Sequence, residues 1–125
     1  MLETKIAVAT VAVKDLDFAR RFYEGVLGLT PNEPQQPGTA SYKTAGTSLF
    51  VYASRFARTN QATSVTWLVG NDLEKIVGAL REKGVAFEHY DLPHLTLKGD
   101  IHVSDSHQIA WFKDPDGNIH SLSSS

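Results

Sequence analysis

The chain reads as an α+β fold in which one small βαβββ module is used twice, and three features point there. A strand-like run leading into an Asp-started helix, Thr10-Val11-Ala12-Val13-Lys14-Asp15-Leu16, returns in the second half as Trp67-Leu68-Val69-Gly70-Asn71-Asp72-Leu73. Each helical pattern ends at a glycine, Gly28 and Gly84, and is followed by short apolar runs separated by turn residues. At 125 residues the chain has room for one core and none for a second independent domain. Residues 1–125 are therefore expected to form a single domain, with a first module over about 4–55 and a second over about 62–123.

The elements follow in order. Residues 6–13 are rich in Val and Ala on both parities, which predicts a strand covered on both faces and hence central. Asp15 is a good N-cap because its carboxylate can accept from free N–H groups of the first turn. Leu16, Ala19, Phe22, Tyr23, Val26 and Leu27 then recur at helical spacing. Pro31, Pro34, Pro37 and Gly38 mark a loop, and 40–45 and 48–53 read as strands around a turn at Ala45-Gly46-Thr47. In the second copy Asp72, or Asn71 with Glu74 reaching back as a capping box, starts a helix striped by Leu73, Ile76, Val77 and Leu80. Residues 86–90 and 108–113 read as strands. Asp114-Pro115-Asp116-Gly117 is a tight turn, with proline pre-setting one backbone angle and glycine free to take positive φ, before a last strand over 118–122. The insertion 91–107, with His94, His102 and His107 and with His89 just before it, shows no clear period and is expected to be a mobile, solvated flap.

Composition narrows the function classes. Forty-two per cent hydrophobic and 21 per cent charged residues, without a long apolar run, predict a soluble chain with no membrane partner. A formal charge of −2 with scattered Lys and Arg gives no footprint for nucleic acid. With no cysteine and no signal-like start, the expected compartment is the cytoplasm. Neither a Gly-x-Ser-x-Gly elbow nor a Gly-rich phosphate loop is present, so acyl transfer and nucleotide binding lack apparatus. A small molecule is the expected partner.

Val11-Ala12-Val13-Lys14-Asp15-Leu16, then Arg21-Phe22-Tyr23 with Leu27-Gly28-Leu29, and above all Trp111-Phe112-Lys113-Asp114-Pro115-Asp116-Gly117-Asn118 resemble the vicinal oxygen chelate superfamily. This is the glyoxalase, bleomycin-resistance and extradiol-dioxygenase group, and the resemblance covers nearly the whole chain. The stretch 62–67 and the run 84–93 resemble its short glyoxalase-like members. The resemblance implies a curved mixed sheet around a cup, helices on the outer face, and homodimers. In the family's metalloenzymes a divalent ion sits in the cup, held by His, Gln or Glu from the first and last strands of each module. Transferred by offset from the helix-capping aspartates and turn glycines, those positions fall on Val8, Phe50, Val65 and Ser121. Three of these side chains carry no donor atom and the fourth is a poor ligand, so no metal cofactor is expected. Among the flanking residues only His120 is a ligand type.

If those positions face the cup, alternation brings Thr10, Ala12, Trp67, Val69, Ser48, Tyr52, Ile119 and Ser123 there too. Thr10, Ser48, Phe50, Tyr52, Trp67 and Ser121 are the candidate ligand-binding residues: aromatic faces stack and hydroxyls orient. The leading expectation is a metal-independent protein of bleomycin-resistance type that binds a small aromatic or amphipathic organic molecule. The alternatives are a lyase, isomerase or dioxygenase with unrecognised catalytic residues, for which His107 is the favoured general base, and a structural or regulatory dimer with a filled cup.

Overall fold

The computed structural model describes residues 1–124. Two helices and mixed sheets give the α+β fold, and the chain divides into two compact units, residues 1–60 and the remainder from Gln61.

The first unit contains β1 (Ala9–Val13), α1 (Leu16–Arg20) with a π-helical continuation (Arg21–Val26), β2 (Thr39–Thr44) and β3 (Thr47–Ala53). The sheet order is β1-β3-β2, with β1 parallel and β2 antiparallel to β3. Within this unit β1 is therefore an outer strand, not the central one its composition suggests. It begins at Ala9, leaving Ile6 and Val8 73% and 44% exposed. Burial follows parity: Val11, Val13, Ala40, Tyr42, Leu49 and Val51 are buried on one face, whereas Thr10, Ser48, Phe50 and Tyr52 occupy the other, less covered face. Where a further strand of the first module is expected, the described residues make only an isolated bridge, Pro31 to Tyr42, flanked by Lys43 N–H donating to Thr30 O at 2.9 Å and Asn32 N–H to Ser41 O at 2.8 Å.

Asp15 caps α1 as the sequence suggests, its carboxylate accepting from Phe18 N–H at 3.2 Å. The helix then widens, with Leu27 N–H donating to Phe22 O at 2.9 Å and Leu29 N–H to Tyr23 O at 3.0 Å. Ala19 and Tyr23 are buried, and Tyr23 stacks on Tyr42 with centroids 5.9 Å apart, which fixes the helix over that face. Tyr42 Oη donates to Glu24 Oε2 at 2.9 Å. Burial, and then the carboxylate, push the phenol's pKa up, so it stays a donor.

The second unit runs β4 (Thr63–Leu68), a 3₁₀ turn (Gly70–Asp72), α2 (Leu73–Glu82), β5 (Phe87–Glu88), β6 (Thr96–Lys98), β7 (Ile101–Val103), β8 (Gln108–Lys113) and β9 (Ile119–Ser123). The order is β4-β9-β8-β7-β6, with β5 also paired to β8, and β4 parallel to β9. Leu73, Val77 and Leu80 form the buried stripe of α2. Asp72 makes no side-chain cap bond: at φ −85° and ψ 3°, set by the 3₁₀ turn, it lacks the extended backbone of a capping residue. Across the sheet, Val65, His120 and Phe112 share one face with Trp67, Leu122 and Ala110; Thr66, Ser121 and Trp111 share the other.

The insertion is not a structureless flap. Its centre forms the β6–β7 hairpin, β7 joins β8 through the pairs His102–Ile109 and Val103–Gln108, and His102 is fully buried. The sequence Ile101-His102-Val103 is too short to declare a strand alone and becomes one between β6 and β8.

The closing turn behaves as its residues dictate. Gly117 takes φ +81° and donates to Asp114 O at 3.0 Å. The buried Asp114 carboxylate accepts from the N–H groups of Asp116 and Asn118 at 2.9 and 2.8 Å, and from Asn118 Nδ2 at 2.8 Å. Asp114→Ala orphans those donors and is expected to lower stability by about 2 kcal/mol in urea unfolding; a change below about 0.5 kcal/mol would show that water replaces the carboxylate.

Candidate functional site

In the first unit the less covered face carries four of the expected site residues. Thr10, Phe50 and Ser41 stand in register across β1, β3 and β2, as do Ala12, Tyr52 and Thr39. Phe50 and Tyr52 stack with centroids 6.3 Å apart and planes at 20°. Beside them Asn32 Nδ2 donates to both Ser41 Oγ (2.9 Å) and Ser48 Oγ (3.2 Å). Gln35 seats this corner: its Oε1 accepts from Ser41 N–H, its Nε2 donates to Ser41 O, both at 3.1 Å, and Nε2 also meets Asn32 O. Thr10 Oγ1 turns back to Val8 O at 3.2 Å. Asn32 and Gln35 escape the sequence reading because they lie in the proline-marked loop, where no period assigns a face.

In the second unit the placement of Trp67 needs correction. Trp67 does share a face with Val65, but that face carries His120 and not Ser121. Its Nε1 donates to His120 Nδ1 at 3.0 Å, the two rings lie at 9° with centroids 6.2 Å apart, and His120 stacks on Phe112 at 4.9 Å and 14°. A register irregularity between Thr63 and Val65 offsets β4 against β9 by one residue, so Val65 pairs with His120 where an unbroken ladder from Thr63–Ile119 would put it opposite Ser121. Thr66 takes the position opposite Ser121, whose hydroxyl donates to Thr66 Oγ1 at 2.8 Å.

These placements decide how the implied metal positions fit. Val8 and Phe50 are apolar, Val65 lies on the His120 face, and Ser121 is committed to Thr66. Burial holds the His120 imidazole down at about 4, a neutral ring engaged by Trp67. Among the described residues no three His, Cys, Asp or Glu side chains cluster to hold an ion. The residues do not fit a family-type divalent centre.

The Ser121 face instead carries an aromatic cluster that the sequence reading missed. His102 meets Trp111 edge-on at 4.8 Å, Tyr90 meets Trp111 at 5.2 Å, and Tyr90 lies over His102 at 6.3 Å. Tyr90 N–H donates to His102 Nε2 at 3.0 Å, and Tyr90 Oη and His102 Nδ1 are buried without a hydrogen-bond partner. The available signal was Trp111's register partner Ser121, which puts Trp111 on that face once β8 and β9 are paired. At the hairpin tip Asp100 accepts from Arg81 Nε and Nη2 at 3.0 and 2.7 Å and pairs with His89 Nε2 at 2.8 Å. The His89 contact and then Arg81 lower the Asp100 pKa, so the carboxylate stays ionised.

His107 sits apart, in the turn between β7 and β8. Its Nδ1 meets Ser106 Oγ at 3.0 Å, and it lines an open cleft of about 430 Å3 with Asn71, Glu74, Ser104, Gln108 and Ser124. The cleft is polar, and among the described residues no Phe, Tyr or Trp lines it and no carboxylate is hydrogen-bonded to the imidazole to orient it as a base.

Comparison with known proteins agrees with the fold. The profile of the Glyoxalase/Bleomycin resistance protein/Dioxygenase superfamily matches residues 5–121. Among solved structures, the oxidase ChaP-H2 is 27% identical with a TM-score of 0.70, covering 97% of this chain and 93% of its own. A glyoxalase/dioxygenase from Nostoc punctiforme is 18% identical (TM-score 0.70; 98% and 90% covered). The fosfomycin resistance protein FosX from Mesorhizobium loti is 12% identical (TM-score 0.70; 100% and 94% covered). The last two show likeness of fold alone. No curated protein sequence matches the chain.

Proposed function

The chain belongs to the glyoxalase/bleomycin resistance protein/dioxygenase superfamily, and from that premise we propose that it binds a small aromatic or amphipathic organic molecule without a family-type metal. The observation that carries this reading is the face of the first unit, where the Phe50–Tyr52 stack lies beside the amide of Asn32 and the hydroxyls of Ser41 and Ser48. Two rings offer a planar ligand a surface, and the amide and hydroxyls fix its orientation. Binding requires no bond making, so apolar residues at Val8 and Phe50 are compatible with it. Ser121 and Trp67 leave the proposed contact set, since each is committed to a neighbour within the second unit.

The test is a thermal-shift screen of aromatic metabolites and antibiotics on protein purified without chelator, followed by calorimetry. Phe50→Ala is expected to weaken the best hit about tenfold while leaving the fold intact, because Phe50 lies on the less covered face. Unchanged affinity in that variant, or binding abolished by removing a stoichiometric metal, would overturn the reading. A second reading, an enzyme on the same scaffold, is favoured by the 27% identity to an oxidase. Conversion of a screened hit to an oxidised product, followed by mass spectrometry, would put it ahead.

A further inference from the structure

Resting on that reading of the first unit's face, we infer that the ligand it takes is an aromatic carboxylate, its ring laid on Phe50 and Tyr52 and its carboxylate held by Ser41, Ser48 and Lys43. Strand register puts these side chains together. Ser48 pairs with Lys43, and Phe50 with Ser41, across β3 and β2, so the four share one face as neighbours. Asn32 gathers the two hydroxyls to a single point: its Nδ2 lies 2.9 Å from Ser41 Oγ and 3.2 Å from Ser48 Oγ, which keeps those oxygens within about 6 Å of each other. Gln35 bonds in turn to the backbone of both Ser41 and Asn32, so the corner is held from a second side.

The charge of the ligand follows from the donors of that corner. Each hydroxyl spends an oxygen lone pair on Asn32 and keeps its own proton to donate elsewhere. Of the described strand residues in this unit only Lys43 is charged, and it is exposed beside Ser48. Two hydroxyl donors next to an ammonium suit the two oxygens of a carboxylate, whereas an amine would meet like charge. The aromatic part follows from geometry along β3. Residues two apart on a strand lie about 6.5–7 Å from each other, so Ser48, Phe50 and Tyr52 form a row that passes from hydroxyl to stacked rings. Both rings keep open surface: Tyr52 is 37% exposed and Phe50 is half-buried. A flat acid with its ring one step from its carboxylate matches that row.

The probes are 2-naphthoate, its neutral amide 2-naphthamide and the cation 2-naphthylmethylammonium, titrated into the whole chain by calorimetry near neutral pH. Naphthoate is expected to bind about tenfold more tightly than the amide, and the ammonium more weakly than either. Lys43→Met is expected to cut the preference for acid over amide about fivefold, Lys43→Arg to keep most of it, and Ser48→Ala to cut it about threefold. The amide should bind both Lys43 variants as it binds wild type, and the acid's advantage should shrink as salt rises. A merely structural role for Lys43 would move acid and amide together. Equal binding of acid and amide, a preference for the ammonium, or a preference for the acid that survives Lys43→Met would each overturn the inference. If Phe50→Ala still weakens those ligands, the aromatic reading of the face stands without it. If no probe binds, or Phe50→Ala leaves every affinity unchanged, both fall.

Discussion

Replacing residues 94–105 by a short Gly-Ser linker is expected to destabilise the protein by about 4 kcal/mol, measured as a drop in the guanidinium midpoint. The segment looks dispensable, because β6 is exposed along its length and the ion pair at its tip joins a half-exposed Arg81 to Asp100. The effect comes from one residue. His102 is fully buried, touches the rings of Trp111, Tyr90 and His89, and is the acceptor for Tyr90 N–H. Excision removes that packing, orphans a backbone donor and uncovers the edge of β8 at Ile109. His102→Ala alone should account for about 3 kcal/mol, leaving little for Asp100. A midpoint within about 1 kcal/mol of wild type would mean that the hairpin contributes no net packing.

That result bears on how much of this molecule is legible in its sequence. The features read correctly depend on residues a few positions apart: the Asp15 cap on Phe18, the Gly46 turn between Thr44 and Thr47, and the Asp114 carboxylate gathering Asp116 and Asn118. In each the side chain or backbone angle that makes the turn lies inside the motif that announces it. The misread features depend on partners distant in sequence. His102 becomes a strand residue because Leu97 and Ile109 pair with it on either side, and Asn32 acquires a face only because Ser41 and Ser48 are brought beside it. Trp67 shows the sharpest form of this. Strand parity has period two, so a single irregularity at Thr63–Val65 sends every later inference to the opposite face, and no residue in 63–68 announces it.

The face that Trp67 occupies governs a second expected result, a loss of stability on mild acidification. His120 is enclosed between Trp67 and Phe112 and accepts the indole N–H on Nδ1, an arrangement that requires the neutral ring. Burial lowers its folded-state pKa to about 4, against 6.5 for the imidazole in water. Between those values the unfolded chain binds a proton that the folded chain refuses, so stability falls as pH falls. The contribution is fully present above about pH 6.5, declines below it, and is lost by about pH 4, for a total on the order of 3 kcal/mol. Other groups titrate in the same range, so the measurement is a difference: urea unfolding of wild type and His120→Phe at intervals from pH 7.5 to 4. Phenylalanine keeps the stack and cannot take up a proton. The indole N–H it strands belongs to a half-buried Trp67 that water can reach. The variant is expected to lie below wild type at pH 7.5, approach it as the pH falls, and lack about one proton's worth of slope. Parallel stability curves across the window would show that His120 accepts its proton in the folded state without leaving the stack.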